Sequence, residues 1–338
     1  MADAYARVTS KVPVVTAQNS PVATLLVAGM SECLTASIQM VALVQDVGPS
    51  CLDRNAFQKL DQIELFKGVS KWTKRVTSAD RIEDYVDMAF SEASSGRPGP
   101  VALLVSMDLL SEKEEKPVPN RKACLGHYPL DRTCANPVKI AEAAALLVNA
   151  KALIIYASGG VLGSHAQDEI GALQELAHLP VATTTMGKGN VDERHPLSMG
   201  IIGYYMATSG MAKFMKSMVE EADVILLIGN RTNQIGTDSW SLLPKNATYI
   251  HIDIDNIEIG RNYEALRLNG DAKLSLQALN KVIAEEDLNR RQAARGTIKN
   301  AIKVAKNRHQ EEIIDVIQSN NSPVRPGAFY GRAGKAVS

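Results

Sequence analysis

Several features that assign a function to other proteins are absent or scarce in this chain. Across 338 residues, 37 Lys and Arg balance 37 Asp and Glu, so no net charge attracts nucleic acid or an anionic membrane surface. The longest apolar stretches, such as VATLLVAGM, are too short to span a bilayer. We read no basic segment followed by an apolar one that would predict a signal peptide. We therefore expect a cytoplasmic protein with no nucleic-acid or membrane partner.

Residues that ligate metals or attack substrates are also sparse. The four cysteines form no CxxC pair, and the six histidines show no HxxxH or HExxH spacing, so neither residue type predicts a metal site or a disulfide framework. GxSxG and GxGxxG motifs are absent as well. These patterns assign no catalytic residue and no metal ligand. We interpret the histidines, including His251, as surface or packed residues.

Strand-like and helix-like segments alternate along most of the chain. Continuous apolar or β-branched runs such as VALLV, ALIIY and VILLIG are typical of parallel strands buried on both faces. This alternation predicts an α/β fold with two parallel-sheet, three-layer domains. Helices are predicted over 56–69 and over the charged stretch 285–318, whereas the closing AFYGRAGKAVS shows no predicted element.

A charged, Pro-rich segment with no apolar period interrupts this alternation and predicts an interdomain linker. We place the first domain at 1–115, the linker at 116–136 and the second domain at 137–284. The charged helix and an irregular tail fill 285–338.

Glycines or acids follow every predicted strand of the second domain. In a doubly wound sheet, ligands lie beyond the carboxyl ends of the strands, where glycine admits a close backbone approach and Arg pairs with phosphate. The alternative is that the glycines make tight turns and the acids cap helices, and both interpretations stay open. In the first domain, Asp46, Asp53, Phe57 and Gln58 follow a strand end in the same way, although Phe57 is equally interpretable as a core residue.

The order of these segments resembles a known family. MADAYARVTSK, AQNSPVATLLVAGMSECLTASIQMVALVQDV and NAFQKLDQIELFKGVSKWTKRV are similar to the pyrimidine-binding domain of thiamine-diphosphate enzymes of the acetolactate synthase type. TTMGKGNVDERHPLSMGIIG, ADVILLIGNRT and IHIDIDNIEIGRN resemble the central domain of the same family. The resemblance implies an incomplete pyrimidine-binding domain followed by a Rossmann-like, six-stranded central domain.

The resemblance also implies cofactor-binding positions. Pro21 matches the proline of a Gly-Pro-Gly-Ala-Thr-Asn loop, in which Ser20, Val22 and Leu25 here replace two glycines and the asparagine. Phe57 and Gln58 match a Phe-Gln pair at the active-site entrance. In the central domain, the positions that FAD-binding members use are Gly159, Gly160, Val161, Thr185, Met186, Gly200, Ile202, Gly229, Arg231, Asp253 and Asp271. The FAD-type Arg-Phe-Asp-Asp-Arg run is RTNQIG here, which disfavours FAD and leaves ADP or no nucleotide as alternatives.

For function, the resemblance implies thiamine diphosphate and Mg²⁺ as family cofactors and a 2-oxo acid as substrate, which is decarboxylated with formation or cleavage of a C–C bond. The family's catalytic glutamate precedes the segment that matches MADAYAR, and its Mg²⁺-diphosphate domain follows SPVRP. We therefore expect this chain to be inactive alone and to self-associate as a homo-oligomer. The alternatives are an adenine-nucleotide-binding or scaffold protein without catalysis, and a truncated reading frame.

Overall fold

The computed structural model describes residues 1–111, 130–203, 210–324 and 326–337, and the side chains of 332–337 are not described. The chain divides into two compact units, Met1–Arg132 and Thr133–Ser338. Most of the predicted linker lies outside the described residues. Within the described part, no helix is both long enough and apolar enough to cross a membrane.

The first unit is built on a parallel four-stranded sheet with the order β1-β2-β4-β3. Its strands are β1 (Val14–Ala17), β2 (Met40–Asp46), β3 (Trp72–Arg75) and β4 (Pro100–Ser106). Its helices are α1 (Ala2–Thr9), α2 (Pro21–Ala36), α3 (Gln62–Lys67), α4 (Ile82–Ser94) and α5 (Met107–Ser111).

Helices cover both faces of this sheet. On one face Met30 of α2 and Phe66 of α3 share a core cluster with Leu104. On the other face Ala89 of α4 packs in a cluster with Leu103. Every residue of β4 is buried, as expected for a central strand of a parallel sheet that is covered on both faces.

The second unit contains a parallel six-stranded sheet with the order β7-β6-β5-β8-β9-β10. Its strands are β5 (Leu153–Ala157), β6 (Val181–Thr183), β7 (Ser198–Ile201), β8 (Val224–Ile228), β9 (Thr248–Asp253) and β10 (Ala265–Asn269). Numbered within the unit, this is the order 3-2-1-4-5-6 of a doubly wound nucleotide-binding sheet. The predicted fold class, two parallel-sheet α/β domains, is confirmed.

Two helical layers enclose the second sheet. The helices are α6 (Pro137–Asn149), α7 (Gly159–Ser164), α8 (Gln167–Leu176), α9 (Lys216–Glu220), α10 (Ala272–Ile283), α11 (Asn289–Ile317) and α12 (Pro326–Val337). One core cluster joins Ile140 and Leu276 to Ile155 of β5. The other joins Ile302 of α11 to Leu227 of β8, so the charged helix belongs to this unit.

Two local predictions are wrong. The helix predicted over 56–69 is restricted to α3, because Asp61 Oδ1 accepts a hydrogen bond from Glu64 N at 3.2 Å and caps the helix there. The tail without a predicted element contains α12, with Pro326 at its first position, where proline is well tolerated. A Cβ on Gly327 would lie 2.8 Å from Val316 Cγ1, so the glycine lets α12 pack closely on α11.

Candidate functional site

The two central strands of the second sheet, β5 and β8, end side by side where the strand order reverses. Each continues into a glycine turn, Ser158-Gly159-Gly160 after β5 and Gly229-Asn230 after β8. Gly160 N donates to Gly229 O at 3.1 Å, and Gly229 itself has a left-handed φ of 53°. A crevice at such a reversal point is where doubly wound sheets bind nucleotides.

Close packing explains most of the predicted site glycines. A Cβ on Gly160 would lie 2.5 Å from Gly229 Cα, and one on Gly200 would collide with the terminal methyl of Met211. Gly200 also has a φ of 79°. Gly159 differs, because its Cβ would meet only Met186 at 3.6 Å, an ordinary contact. Gly159 is therefore the site glycine that neither close packing nor a positive φ requires.

The remaining predicted residues on the β5, β6 and β7 side divide into two groups. Val161 and Ile202 are buried in the core, with exposures of 0% and 1%, so only their backbones can face a ligand. Thr185 and Met186 are exposed, and the turn that presents them is capped by Thr184, whose Oγ1 accepts from Gly187 N at 3.1 Å.

Arg231 lies just beyond β8 and meets a buried carboxylate. Its Nε is 3.5 Å from Glu258 Oε1, and Arg261 Nη1 donates to the same oxygen at 3.1 Å. The Glu258 side chain is only 6% exposed, whereas that of Arg231 is 36% exposed. Glu258, in the loop after β9, thus binds the guanidinium groups of both Arg231 and Arg261. This role was not predicted from the sequence.

Asp253 closes β9 next to a buried histidine. Asp253 Oδ1 accepts from Asp255 N at 2.9 Å, and Asp253 Oδ2 is 3.7 Å from His251 Nε2. His251 Nδ1 accepts a hydrogen bond from Gly260 N at 3.0 Å. The pair was not predicted, although the two-residue spacing puts alternate strand residues on one face and could have indicated it.

Asp271 stabilises the fold at the start of α10. Its Oδ1 accepts from Leu274 N at 3.1 Å and caps α10, and its Oδ2 accepts from Ser164 Oγ at 2.8 Å. The helix-capping alternative from the sequence therefore describes this residue.

In the first unit, the turn before α3 presents two predicted residues. Phe57 is 81% exposed, so the interpretation of Phe57 as a core aromatic is wrong. Gln58 has a left-handed φ of 54°, and its buried Oε1 has no hydrogen-bond partner in the described part of the chain. Pro21 occupies the first turn of α2 behind Ser20, whose φ is 38°.

Asp46 is engaged in the interior instead of facing a ligand. Arg75 Nε donates to Asp46 Oδ2 at 2.7 Å, while Gln62 Nε2 and Val47 N donate to Asp46 Oδ1 at 3.3 and 2.9 Å. Lys71 is similarly occupied, with its Nζ donating to Ser95 O at 2.9 Å. Among the described residues, no group of three His, Cys, Asp or Glu side chains is arranged to hold a metal ion.

Comparison with known proteins places this chain in a family. The family model described as "Thiamine pyrophosphate enzyme, N-terminal TPP binding domain" matches residues 1–65, and "Thiamine pyrophosphate enzyme, central domain" matches residues 140–279. The chain belongs to the thiamine pyrophosphate enzymes. The first match includes Pro21 and Phe57, and the second covers the six-stranded sheet.

Relatives within the thiamine pyrophosphate enzymes are acetolactate synthases. A probable acetolactate synthase large subunit of Methanococcus aeolicus is 36% identical over 280 residues, which are 82% of this chain and 46% of the relative. Acetolactate synthase of Arthrospira platensis is 35% identical over 263 residues, 77% of this chain and 45% of the relative. The chloroplastic acetolactate synthase of Arabidopsis thaliana is 30% identical over 286 residues, which are 83% of this chain and 41% of the relative. The chain thus spans less than half the length of these relatives.

The residue before Pro21 has a backbone conformation that favours glycine. Ser20 has a φ of 38°, in the left-handed region that glycine adopts most easily. This is the position that the resemblance in sequence equates with a glycine of the Gly-Pro-Gly-Ala-Thr-Asn loop.

Proposed function

We propose that this chain supplies the N-terminal and central domains of a thiamine-diphosphate-dependent enzyme of the acetolactate synthase type that acts on a 2-oxo acid. The observation that carries the proposal is the turn at Phe57 and Gln58, within the matched N-terminal domain. An 81%-exposed ring and a buried amide oxygen that has no hydrogen-bond partner among the described residues fit a heteroaromatic ring that has amino hydrogens to donate.

In this proposal, Pro21, Phe57 and Gln58 contact the aminopyrimidine side of the cofactor. Gln58 Oε1 accepts a hydrogen bond, and the Phe57 ring excludes water from one face. When bound, thiamine diphosphate supplies the carbon nucleophile that attacks the 2-oxo acid. The Mg²⁺ ion and the diphosphate group are bound by residues other than these three. Because the relatives are more than twice as long as the matched part, we propose that the 338-residue polypeptide does not convert a 2-oxo acid by itself.

Two measurements test the proposal. Calorimetry measures thiamine diphosphate binding in the presence of Mg²⁺, and a separate assay measures CO₂ release from pyruvate. We expect binding that is weakened about tenfold in Gln58→Leu, because the loss of a well-formed hydrogen bond has roughly this effect, and no enzyme-like CO₂ release. Gln39→Leu is the control, at a residue directly before β2 whose amide donates to Ser10 O at 3.0 Å, and it should leave binding unchanged. Absence of binding by the folded chain would refute the cofactor assignment, and rapid CO₂ release would refute the dependence on further residues.

We also propose self-association through α2. This helix is apolar on nearly all sides, yet Leu25 is 77% exposed and Val22 is 42% exposed. A helix that is apolar all round is ordinarily covered, and a second copy of the chain is the occupant we propose. Sedimentation velocity should show a dimer or larger species that Leu25→Glu dissociates.

A second candidate function is adenine-nucleotide binding by the central domain. The 3-2-1-4-5-6 sheet with Gly159 and Arg231 at its reversal point supports it, since bare backbone and a guanidinium group suit phosphate. ADP is favoured over FAD because RTNQIG replaces the FAD-type run. An absorbance band at about 450 nm on the purified protein would instead identify a flavin cofactor, and calorimetry with ADP tests the nucleotide.

A further inference from the structure

Residues 289–308 of α11 concentrate positive charge in a chain that is neutral as a whole. Seven Lys and Arg side chains lie in this range with no Asp or Glu, whereas the complete chain has 37 basic and 37 acidic residues. The neutral total, from which we expected no nucleic-acid partner, therefore does not describe this part of the surface. Ile302 and Ala305 pack one side of the helix into the core of the second unit, which leaves the other sides to solvent.

Four of these cations form a line along one side of α11, which we call the basic row: Arg295, Lys299, Lys303 and Lys306. Their spacing of four, four and three residues places neighbouring Cβ atoms about 5–6 Å apart on the same side of the helix. The row extends over about 16 Å of the helix axis. At one end, Arg295 Nη2 donates to Glu175 Oε2 at 3.1 Å. At the other end, Lys306 Nζ donates to Glu193 O at 3.1 Å.

The middle of the basic row has no acid on its own helix to pair with. Lys299 and Lys303 are both exposed, and no carboxylate lies three or four residues from either lysine along α11. Like charges at this spacing destabilise a helix, because the two ammonium groups repel each other. An anion placed between them removes that repulsion. The basic row therefore gains more from an anionic ligand than isolated surface lysines would.

The surface beside the basic row indicates which kind of anion fits. Small or neutral polar residues form the neighbouring exposed side of α11: Gln292, Gly296, Asn300 and Asn307. An acidic protein is ordinarily anchored by large apolar or aromatic side chains, and an anionic membrane by an apolar face that inserts. Within 289–308, Val304 at 41% exposure is the exposed large apolar residue. This side of α11 therefore suits neither an acidic protein nor a membrane.

Nucleic acid remains as the polyanion, and the composition of α11 separates its two forms. Single strands are bound by stacking their bases on aromatic rings, but α11 contains no Phe, Trp or Tyr. A duplex needs no such rings, since Lys, Arg and neutral polar side chains contact its phosphates directly. Duplex RNA is recognised largely through 2′-hydroxyls, which a row of ammonium groups does not select. The observations thus favour duplex DNA.

We propose that the basic row of α11 binds the phosphate backbone of double-stranded DNA without reading its sequence. Each cation that contacts a phosphate releases a counterion from the DNA, so the affinity depends steeply on the salt concentration. The inference goes beyond the functions proposed above, because no residue of the basic row belongs to the thiamine diphosphate site or the nucleotide site.

Fluorescence anisotropy on the 338-residue protein tests the proposal, with a labelled DNA duplex of about 30 base pairs at about 50 to 200 mM salt. We expect the logarithm of the association constant to fall linearly with the logarithm of the salt concentration. The double variant Lys299→Gln with Lys303→Gln should weaken binding at least about tenfold at the lowest salt. Its salt slope should be shallower by about 2, because two phosphate contacts are lost. Two duplexes of unrelated sequence should bind equally.

The matched control removes the same charge from the other helical layer. Lys139→Gln with Lys281→Gln changes exposed lysines of α6 and α10, which pack on the opposite face of the six-stranded sheet. This control should keep the affinity and the salt slope of the unchanged protein. Thermal unfolding checks the fold of both double variants. Loss of the Lys299–Lys303 repulsion should leave the melting temperature unchanged or higher.

Several outcomes would overturn the proposal. One is no binding of the DNA duplex at the lowest salt, and another is equal weakening by the control variant. Tighter binding to duplex RNA, to vesicles that contain phosphatidylserine or to poly-glutamate than to DNA would assign the basic row to another partner. A strong preference for one of the two DNA sequences would contradict a contact made to the backbone alone.

Discussion

Gly160 and Gly229 meet backbone to backbone where the two central strands of the second sheet end. A Cβ placed on either glycine would lie 2.5 Å from the Cα of the other, and Gly160 N donates to Gly229 O at 3.1 Å. The contact joins the turn after β5 to the turn after β8. It therefore sets how closely the two edges of the proposed nucleotide crevice approach each other.

We predict that Gly160→Ala lowers the free energy of unfolding by about 2 kcal/mol, because the new methyl group must push two backbones apart. Urea denaturation measures the change. Gly171→Ala is the matched control, since it lies inside α8 with nothing within 4 Å of the added Cβ. That control should stabilise the protein by about 0.5–1 kcal/mol. Equal effects of the two substitutions would contradict the close packing.

The strands were predictable because their apolar runs are long and continuous. VILLI of β8 is buried throughout, and a short apolar run between turns is typical of a buried strand. The edge strand β3 was not predicted, because Trp72–Arg75 is only partly buried and carries no apolar run. The helix α12 depends on packing against α11, which local propensity does not report.

The candidate site was predictable only in outline. Strand-end positions such as Gly229 and Asp253 follow from the sheet type, since parallel strands end at one edge. Their partners did not follow, because Gly260 reaches His251 through a loop whose path the sequence does not specify. Asp46 shows the same limit, since its partner Arg75 lies 29 residues away on a strand that had not been recognised.

The Asp46–Arg75 pair gives a second prediction. Asp46 is 1% exposed, so Arg75→Leu leaves a buried carboxylate without its cation and should cost about 3 kcal/mol of unfolding free energy. Thermal and urea unfolding measure it. The double variant Asp46→Leu with Arg75→Leu should recover part of that loss, because both charges are then gone.

An exposed pair provides the control for this measurement. Arg81 and Asp84 lie 3.0 Å apart with side chains 52% and 41% exposed. Arg81→Leu should change the free energy of unfolding by less than about 0.5 kcal/mol. A loss as small as this for Arg75→Leu would show that solvent screens the Asp46 carboxylate as well.

The third prediction concerns thiol reactivity. Burial, and next the negative charge of Asp3, raise the pKa of the Cys33 thiol from 9.0 to about 11. Since the thiolate is the reactive form, Cys33 should resist iodoacetamide at about pH 8 in the folded protein, whereas exposed Cys134 is alkylated. Peptide-resolved mass spectrometry distinguishes the two sites, and urea should remove the difference.

The same shift predicts a direction for the pH dependence of stability. Above pH 9.0 the unfolded thiol ionises while the folded thiol of Cys33 stays protonated, so stability should fall as pH rises towards 11. Cys33→Ala should flatten this alkaline decline relative to the unchanged protein. Alkylation of native Cys33 as fast as that of Cys134 would contradict both statements.

Arg291 at the start of α11 carries the last prediction. It is 2% exposed, and its guanidinium donates to Ala150 O just past the end of α6, where backbone carbonyls lack helical partners. Arg291→Met should therefore cost about 2 kcal/mol and loosen the start of α11, because Ala150 O loses this donor. Adjacent Arg290 donates to Asn149 O at 3.1 Å but is exposed, so Arg290→Met should cost less than about 0.5 kcal/mol. Urea denaturation and limited proteolysis near Asn289 measure both effects, and equal losses would show that burial of Arg291 adds nothing to the attachment of α11.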